Sequence, residues 1–353
     1  MPAATWLRSA PRAGIVALLG GVLLLMAWLL SAALVAAPAE GVGAGSPQTG
    51  DLATYKAIVA AVKEGTGYYE AAHAELIQHY GTRSVFNWRT PLNTWWLAAL
   101  PSLQWGMYVA LALAVAAMLA TYRLARESAG PVFAAVSALL LLVGLAGFGS
   151  AEAVLFSEMN AGLLILVSVI AYGSRLPWLG LAAGALALFL RELAAPYVVI
   201  CVLLALRDRR WSELAAWLAV LVAYAGYFGW HAQSAMAQVG PEDRDYADSW
   251  LAFGGASFVL ATGAFNGLVR LLPLWVTALI LPLGLLGLAV RPAAARAFLT
   301  AVAYVALFSV AGKATNAYWG ALYTPLLMLG LPWAVPALRD AWAAVTRSRL
   351  SSA

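Results

Sequence analysis

Charge is what this sequence has least of. Of its 353 residues only 10% are Asp, Glu, Lys or Arg, against 63% hydrophobic, where a soluble domain carries roughly 25% charged residues. A chain so poor in charge cannot clothe itself for water, which excludes a soluble globular protein. Cysteine is nearly missing as well. Cys201 is the one in the chain, so an internal disulfide and a cysteine-based metal centre are excluded, and its apolar surroundings read as packing. The net charge of +5 does not point to nucleic acid, because the basic residues are scattered between apolar runs instead of forming a patch.

What is present is a series of long apolar runs, the mark of an all-α, polytopic membrane helix bundle. The first, residues 14–37, follows Arg8 and Arg12. It exceeds the 7–15 residues of a signal-peptide core and reads as a transmembrane helix, with cleavage near "AAPA" as the lesser reading. Further runs cover about 102–122, 131–149, 156–173, 177–190, 194–206, 212–230, 271–290, 297–311 and 318–337. That gives about ten spans in a single membrane domain, 1–353. Two runs, 177–190 and 194–206, are short against the roughly 20 residues a bilayer needs. The Gly-, Ala- and Ser-rich stretch 251–269 reads as re-entrant or interfacial.

Charge sidedness supports this topology. With the N-terminus inside, 13 of the 21 basic residues fall on the cytoplasmic side, as the positive-inside rule requires. Twelve of the 16 acids fall on the other side, which that rule does not explain. The outer face is where the chain keeps its carboxylates.

Many of them lie in or beside one long connection, residues 38–101. It opens with the flexible "PAEGVGAGSPQTG", whose glycines are no dinucleotide fingerprint because no strand or βαβ unit surrounds them. Leu52, Tyr55, Val59 and Val62, then Tyr69, His73, Leu76 and Tyr80, recur at helical spacing. These predict two amphipathic helices lying on the membrane surface and capping the bundle. The tryptophans of "SVFNWRTPLNTWWLAALP" suit an aromatic belt. Asp51, just after Gly50, reads as a helix N-cap or as a carboxylate presented at the surface by that helix start. Glu70 and His73, three apart, share a face; His73, His79 and His231 read as surface or interfacial side chains.

A second acidic group lies in "FGSAEAVLFSEMNAGLLILVSVIAYGSR". Glu152 is placed at the outer end before the fourth span, where the helix dipole favours an acid. Glu158 falls inside the first turns of that span, and an acid there faces a polar cavity as a rule. In "FLRELAAPY", Arg191 and Glu192 interrupt an apolar stretch, and at the bilayer centre each would cost on the order of 3 kcal/mol. Pro196 favours a helix start, so the stretch splits into two short spans meeting at the outer surface. As helix neighbours, about 100° apart, the two charges are poor partners for each other. Arg191 beside a helix start then reads as an anion contact, or as half of a local salt bridge.

Taken in order, Asp51, "NWRTPLNTWWLAALP", "SEMNAGLLILVSVIAY", "LRELAAPYV" and "NAYWGALYTPLLMLGLPWA" resemble the GT-C class of membrane glycosyltransferases, particularly the bacterial arabinose- and mannose-transferase-like members. The resemblance covers most of the chain as topology and scattered motifs. It implies transfer of a sugar from a polyprenyl-phosphate donor to a lipid, glycan or protein acceptor on the outer face of a bacterial inner membrane, with both termini cytoplasmic and membrane lipids around the chain. Asp51 is the implied base or metal neighbour and Glu152 the second acid, so a divalent cation is the implied cofactor. Arg191, Arg89 and Lys313 are the cations expected at the departing phosphate; Lys313 also fits a snorkelling anchor. Glu192, Glu158 and Glu70 complete the expected substrate-binding set. This sequence departs from the class in having Leu52, not a second acid, after Asp51, and a glutamate where aspartate is common. A transporter or flippase, or a non-catalytic GT-C-like subunit, are the alternatives. Against the first stand the single long outer loop and the lack of an internal repeat.

Overall fold

The computed structural model describes residues 5–35, 50–245 and 251–350. Among them the regular structure is entirely helical. The glycine-rich lead, residues 36–49, lies outside the described residues. In chain order the helices are α1 (Arg12–Val35), α2 (Asp51–Lys63), α3 (Tyr68–His79), α4 (Leu92–Ala99), α5 (Leu103–Ala129), α6 (Pro131–Gly144) and α7 (Ser157–Gly173). There follow α8 (Pro177–Leu190), α9 (Ala195–Arg207), α10 (Trp211–Met236), α11 (Gly255–Ala264), α12 (Leu274–Ala289), α13 (Ala295–Val310) and α14 (Thr324–Leu350).

Each apolar run of the sequence carries a helix among its described residues. Among the described residues four helices are long and apolar enough to cross a membrane: α1, α5, α10 and the segment Pro292–Val310 that leads into α13. A fifth forms if Thr315–Leu322 and Thr324–Thr346, bent by 61°, count as one span. The other apolar helices are shorter; α9, with 13 residues, reaches about 20 Å at 1.5 Å per residue, below the roughly 30 Å hydrocarbon core. Their ends follow local chemistry. Gly130, at φ 82°, ends α5, and Pro131 and Pro177 open α6 and α8, where a missing N–H costs nothing.

The interior is tightest where glycine lets helices touch. Most of α7 is buried, and a Cβ on its Gly162 would collide with the carbonyl of Ala321. Gly287 of α12 meets the Gly330 carbonyl of α14 in the same way. Such close backbone approach is how helices associate where no water drives them together. Outward faces are apolar instead, with Leu23, Leu24, Val132, Leu139 and Val222 all exposed.

The chain ends and turns segregate to two ends of the bundle. At one, Thr5 donates to Asp340 at 2.7 Å, Trp6 to the Ala289 carbonyl at 3.0 Å, and Arg291 to Ser128 at 3.4 Å. At the other lie α2, α3, α4 and the breaks before α7 and between α8 and α9. Three local expectations change here. Gly50, at φ 125°, is the N-cap of α2 and Asp51 lies in the first turn, so the Asp51 side chain is free to look elsewhere. Trp88 is no belt residue: it is 1% exposed, stacks on His73 and donates to the Thr82 carbonyl at 2.8 Å. His73 and His231 also take inside partners, as His231 is fully buried against the Tyr69 hydroxyl. The α11 segment is a half-buried ten-residue helix packed on α1, α12, α13 and the 314–322 turn.

Candidate functional site

Glu158 stands at the centre of the α2–α4 end. It opens α7 and is completely buried, a position that no carboxylate occupies without partners. Arg89 donates to its Oε1, and Arg191 Nε lies 2.9 Å from the same oxygen as an ion pair whose N–H is not aimed along the line of contact. Ser157 donates to Oε2 at 3.4 Å. The other face of Arg89 meets two phenols. Its Nε and Nη2 donate to Tyr55 at 3.0 and 2.8 Å, and Nη2 to Tyr318 at 3.0 Å. Tyr318 in turn donates to Asp51 Oδ2 at 2.7 Å, and Tyr80 to Oδ1. Asp51, Arg89, Glu158 and Arg191 thus form one continuous polar chain.

Local structure holds these side chains in place. The Arg89 backbone is pinned on both sides, its carbonyl by the Tyr68 hydroxyl and the next residue by Thr90, which donates to the Phe189 and Leu190 carbonyls at 3.2 Å. Tyr318 sits on the 3-10 segment Ala314–Leu322, close-packed on α11 because a Cβ at Gly320 would strike the Thr262 carbonyl. Burial pushes the Tyr55 phenol up to about 12, with Arg89 opposing the rise. Burial alone would lower the Arg89 guanidinium, but Glu158, Tyr55, Tyr318 and Glu192 together hold it well above its ordinary value. Arg89 therefore stays charged and Tyr55 stays protonated across the physiological range.

The Arg191–Glu192 pair differs from expectation. Arg191 is extended, at φ −153° and ψ 120°, between α8 and a 3-10 turn. Off the helix, the 100° separation no longer applies, and Arg191 donates to Glu192 directly. The split between two short helices stands; the poor pairing does not.

Beside this chain lies a cavity of about 870 Å³. Its walls come from the end of α1 (Ala32, Ala33), the turns around Phe148 and Ala153, α11, and the starts of α12 and α14. The lining is mostly apolar. Its two charged residues are Glu152 and Arg270, both exposed, with Ser150, Asn266 and Thr324 as polar neighbours. Glu152 Oε1 is 3.9 Å from Lys56 Nζ, with both side chains more than half exposed. Exposed Leu271, Leu272 and Trp275 form a greasy lip. Phe156 is the partition: it lines the cavity while its ring lies 5.9 Å from Tyr55 and 5.0 Å from Tyr318.

The expected site residues therefore fall into four places. Asp51, Arg89, Glu158, Arg191 and Glu192 join the polar chain, with Glu158 and Arg191 buried; Glu152 lines the cavity; Glu70 is exposed on α3. Lys313 caps the Tyr318 segment, its backbone N–H donating to Asn316 Oδ1 at 3.3 Å, and Asn316 donates to Tyr318 at 3.2 Å. Asp51 and Glu152, the acids set beside a divalent cation by resemblance, have different neighbours: phenols for one, Lys56 for the other. Among the described residues no three His, Cys, Asp or Glu side chains gather as metal ligands. Sequence reading gave no site role to Tyr80, counted there only for its helical spacing, to Tyr318, which lies within "NAYWGALYTPLLMLGLPWA", or to Arg270, which carries no motif. It also missed Asp243, which accepts from Thr82 and Gly240 and pairs with His73 at 2.9 Å. Compared with family models, with curated proteins and with solved structures, the chain finds no match, so its likeness to other proteins rests on its own residues.

Proposed function

We propose that the chain is a GT-C-like membrane glycosyltransferase, spanning a bacterial inner membrane about ten times with both termini cytoplasmic, and moving a sugar from a polyprenyl-phosphate carrier to an acceptor hydroxyl at the outer face. The observation that carries this reading is the cavity, apolar over most of its wall with one carboxylate and one guanidinium in it. A lipid-linked phosphosugar needs that combination: apolar wall for isoprenoid, a cation for phosphate, and a carboxylate for the incoming hydroxyl.

In this reading Glu152 takes the proton of the acceptor hydroxyl. The acceptor oxygen bonds to the anomeric carbon as the bond from that carbon to the phosphate oxygen breaks, and the phosphate leaves with the electron pair toward Arg270. Arg270 replaces Arg191 and Arg89 as the phosphate contact, because those two are already paired with Glu158 and Glu192. Asp51, whose two oxygens already accept from Tyr80 and Tyr318, is a positioning residue: it ties the start of α2 to the Tyr318 segment that walls the cavity.

The test is transfer in membranes supplied with labelled polyprenyl-phosphate sugars. Wild type transfers label and Glu152→Gln loses 100-fold or more, the scale of a missing general base. A wild type inert toward every such donor, in membranes where the acceptor is present, would remove the reading.

A further inference from the structure

Five arginines of the described chain are not exposed: Arg89, Arg191, Arg210, Arg291 and Arg296. Four of them pair with a glutamate, Arg89 and Arg191 with Glu158, Arg210 and Arg296 with Glu213. Arg291, half-buried in the turn after α12, pairs with no described carboxylate. Glu127, beside Ser128 on α5, is exposed and makes no ion pair with it. Burial lowers the Arg291 guanidinium, and no neighbouring charge opposes the fall. A charge drawn out of water without a counter-charge is destabilising, so this place calls for an anion.

The guanidinium is held in one pose. Its Cζ lies 3.8 Å from the centre of the Trp333 ring on α14, a stacking that fixes its plane, and Nη1 donates to Ser128 Oγ at 3.4 Å. Ser128 gives its own proton to the Leu124 carbonyl at 3.1 Å, which leaves its oxygen as the acceptor. Nε and Nη2, the side-on edge, donate to no described residue, and neither is sealed inside the protein. That edge is the fork that takes two oxygens of a phosphate at once. The surroundings are apolar and outward-facing. Phe133, at the start of α6, packs edge-on against the same Trp333 at 4.7 Å, and Val132, Val136 and Leu139 form one exposed stripe along α6. Exposed Trp6, whose Nε1 donates to the Ala289 carbonyl two residues before Arg291, and exposed Trp342 on α14 mark headgroup depth. Arg8, Arg12 and Arg126 are exposed at the same end.

We infer that Arg291, stacked on Trp333 and steadied by Ser128, binds the phosphate of an anionic membrane lipid whose acyl chains lie along the Val132–Leu139 stripe. Nε and Nη2 each donate to one phosphate oxygen, and the exposed arginines around them favour a headgroup with net negative charge over a zwitterionic one. A free phosphate would meet the guanidinium but leave the stripe unused. The site lies past the last turn of α12, whereas the cavity is lined by its start, at Leu274 and Trp275. The 16 residues of that helix put roughly 24 Å between the two. This lipid is therefore not the donor of the transfer reaction, and the inference stands without the transferase reading. Touching α5, α6, α14 and the turn after α12 together, it fastens that end of the bundle.

The experiment uses the full chain, delipidated in detergent and titrated with phosphatidylglycerol, phosphatidylcholine or inorganic phosphate. Melting temperature and native mass spectrometry of retained lipid are the readouts. Phosphatidylglycerol is expected to bind saturably and raise the melting temperature, while phosphatidylcholine and inorganic phosphate do neither. Arg291→Gln is expected to weaken phosphatidylglycerol about tenfold or more, the loss of hydrogen bonds to a charged group. Without lipid it is expected to melt as wild type does, because no ion pair is lost. Arg291→Lys keeps the charge but not the fork, and is expected to weaken binding several-fold. Arg175→Gln, at an exposed arginine between α7 and α8, is the control and is expected to bind as wild type. Phosphatidylglycerol without effect on wild type overturns the inference, as does an equal effect of phosphatidylcholine. An equal effect of inorganic phosphate would make this a free-anion site, and an equal loss in Arg175→Gln would reduce it to diffuse surface charge. An Arg291→Gln chain that fails to fold, or melts well below wild type without lipid, would also overturn it, by showing that Arg291 is held for a partner inside the protein.

Discussion

The Tyr318 hydroxyl donates to Asp51 across 267 residues of sequence, at 2.7 Å, while it accepts from Arg89 at 3.0 Å. With Arg89 and Asn316 both donating to its oxygen, the single phenol proton has only one direction left, toward the carboxylate. This contact fastens α2 to the segment leading into α14. Tyr318→Phe keeps the ring and removes the hydroxyl, leaving Asp51 and Arg89 each short of a partner. A loss of about 1.5–3 kcal/mol is expected, read by denaturation in detergent. An unchanged midpoint would show the contact to be absent in the membrane protein.

Glu158 sets the stability of the same end. Glu158→Gln leaves Arg89 without its carboxylate partner in a part-buried place and Arg191 with Glu192 alone, and removing one partner of such a group costs about 3–5 kcal/mol. The expected result is a large fall in melting temperature. Arg270→Gln, a change at an exposed side chain, is expected to shift it little.

The two acids with proposed roles separate by assay. Glu152→Gln is expected to abolish transfer at unchanged stability, because its side chain is exposed with Lys56 as a distant partner. Asp51→Asn is expected to lower stability and to reduce transfer by less than tenfold, through displacement of α2. Reversed sensitivities would return the base role to Asp51.

Glycine contacts give a prediction independent of function. Gly287→Ala drives a methyl into the Gly330 carbonyl, and overpacking of this kind costs about 1–3 kcal/mol. Gly226→Ala, where the added methyl meets nothing within 4 Å, is the control and is expected to be neutral in the same melting experiment.

The connection after α10 carries a pH dependence. Burial by itself would raise Asp243, but the Thr82 hydroxyl, the Gly240 N–H and His73 hold its carboxyl below the usual range. A depressed folded-state value means that its contribution is complete above the unfolded value of about 3.9 and is lost as pH falls through the folded one. Protection of the Gly240 amide against hydrogen exchange is therefore expected to persist from neutral pH to about pH 4 and to vanish below. In Asp243→Asn it is expected to be weak at every pH.

Much of the helical layout was legible in residue order, because a run of apolar side chains with proline or glycine at its ends has few ways to fold. The break between α8 and α9 could be read from Arg191, Glu192 and Pro196 for the same reason. Glu158 could be singled out because a carboxylate in an apolar helix needs a partner, but nothing in the sequence said which. That choice fell to Arg89 and Arg191, carried there by two different connections.

The sequence by itself determined that this protein is helical, apolar over its outer surface, and supplied with carboxylates near a few helix starts; those follow from composition and local spacing. Tertiary structure alone decided that Asp51 turns toward Tyr318, that Glu152 and Arg270 share a cavity, and that Arg89 and Arg191 meet at Glu158. Pairings between residues far apart in the chain depend on how helices pack, and packing is fixed by shape at positions such as Gly162 and Gly287, where one added methyl would forbid the approach.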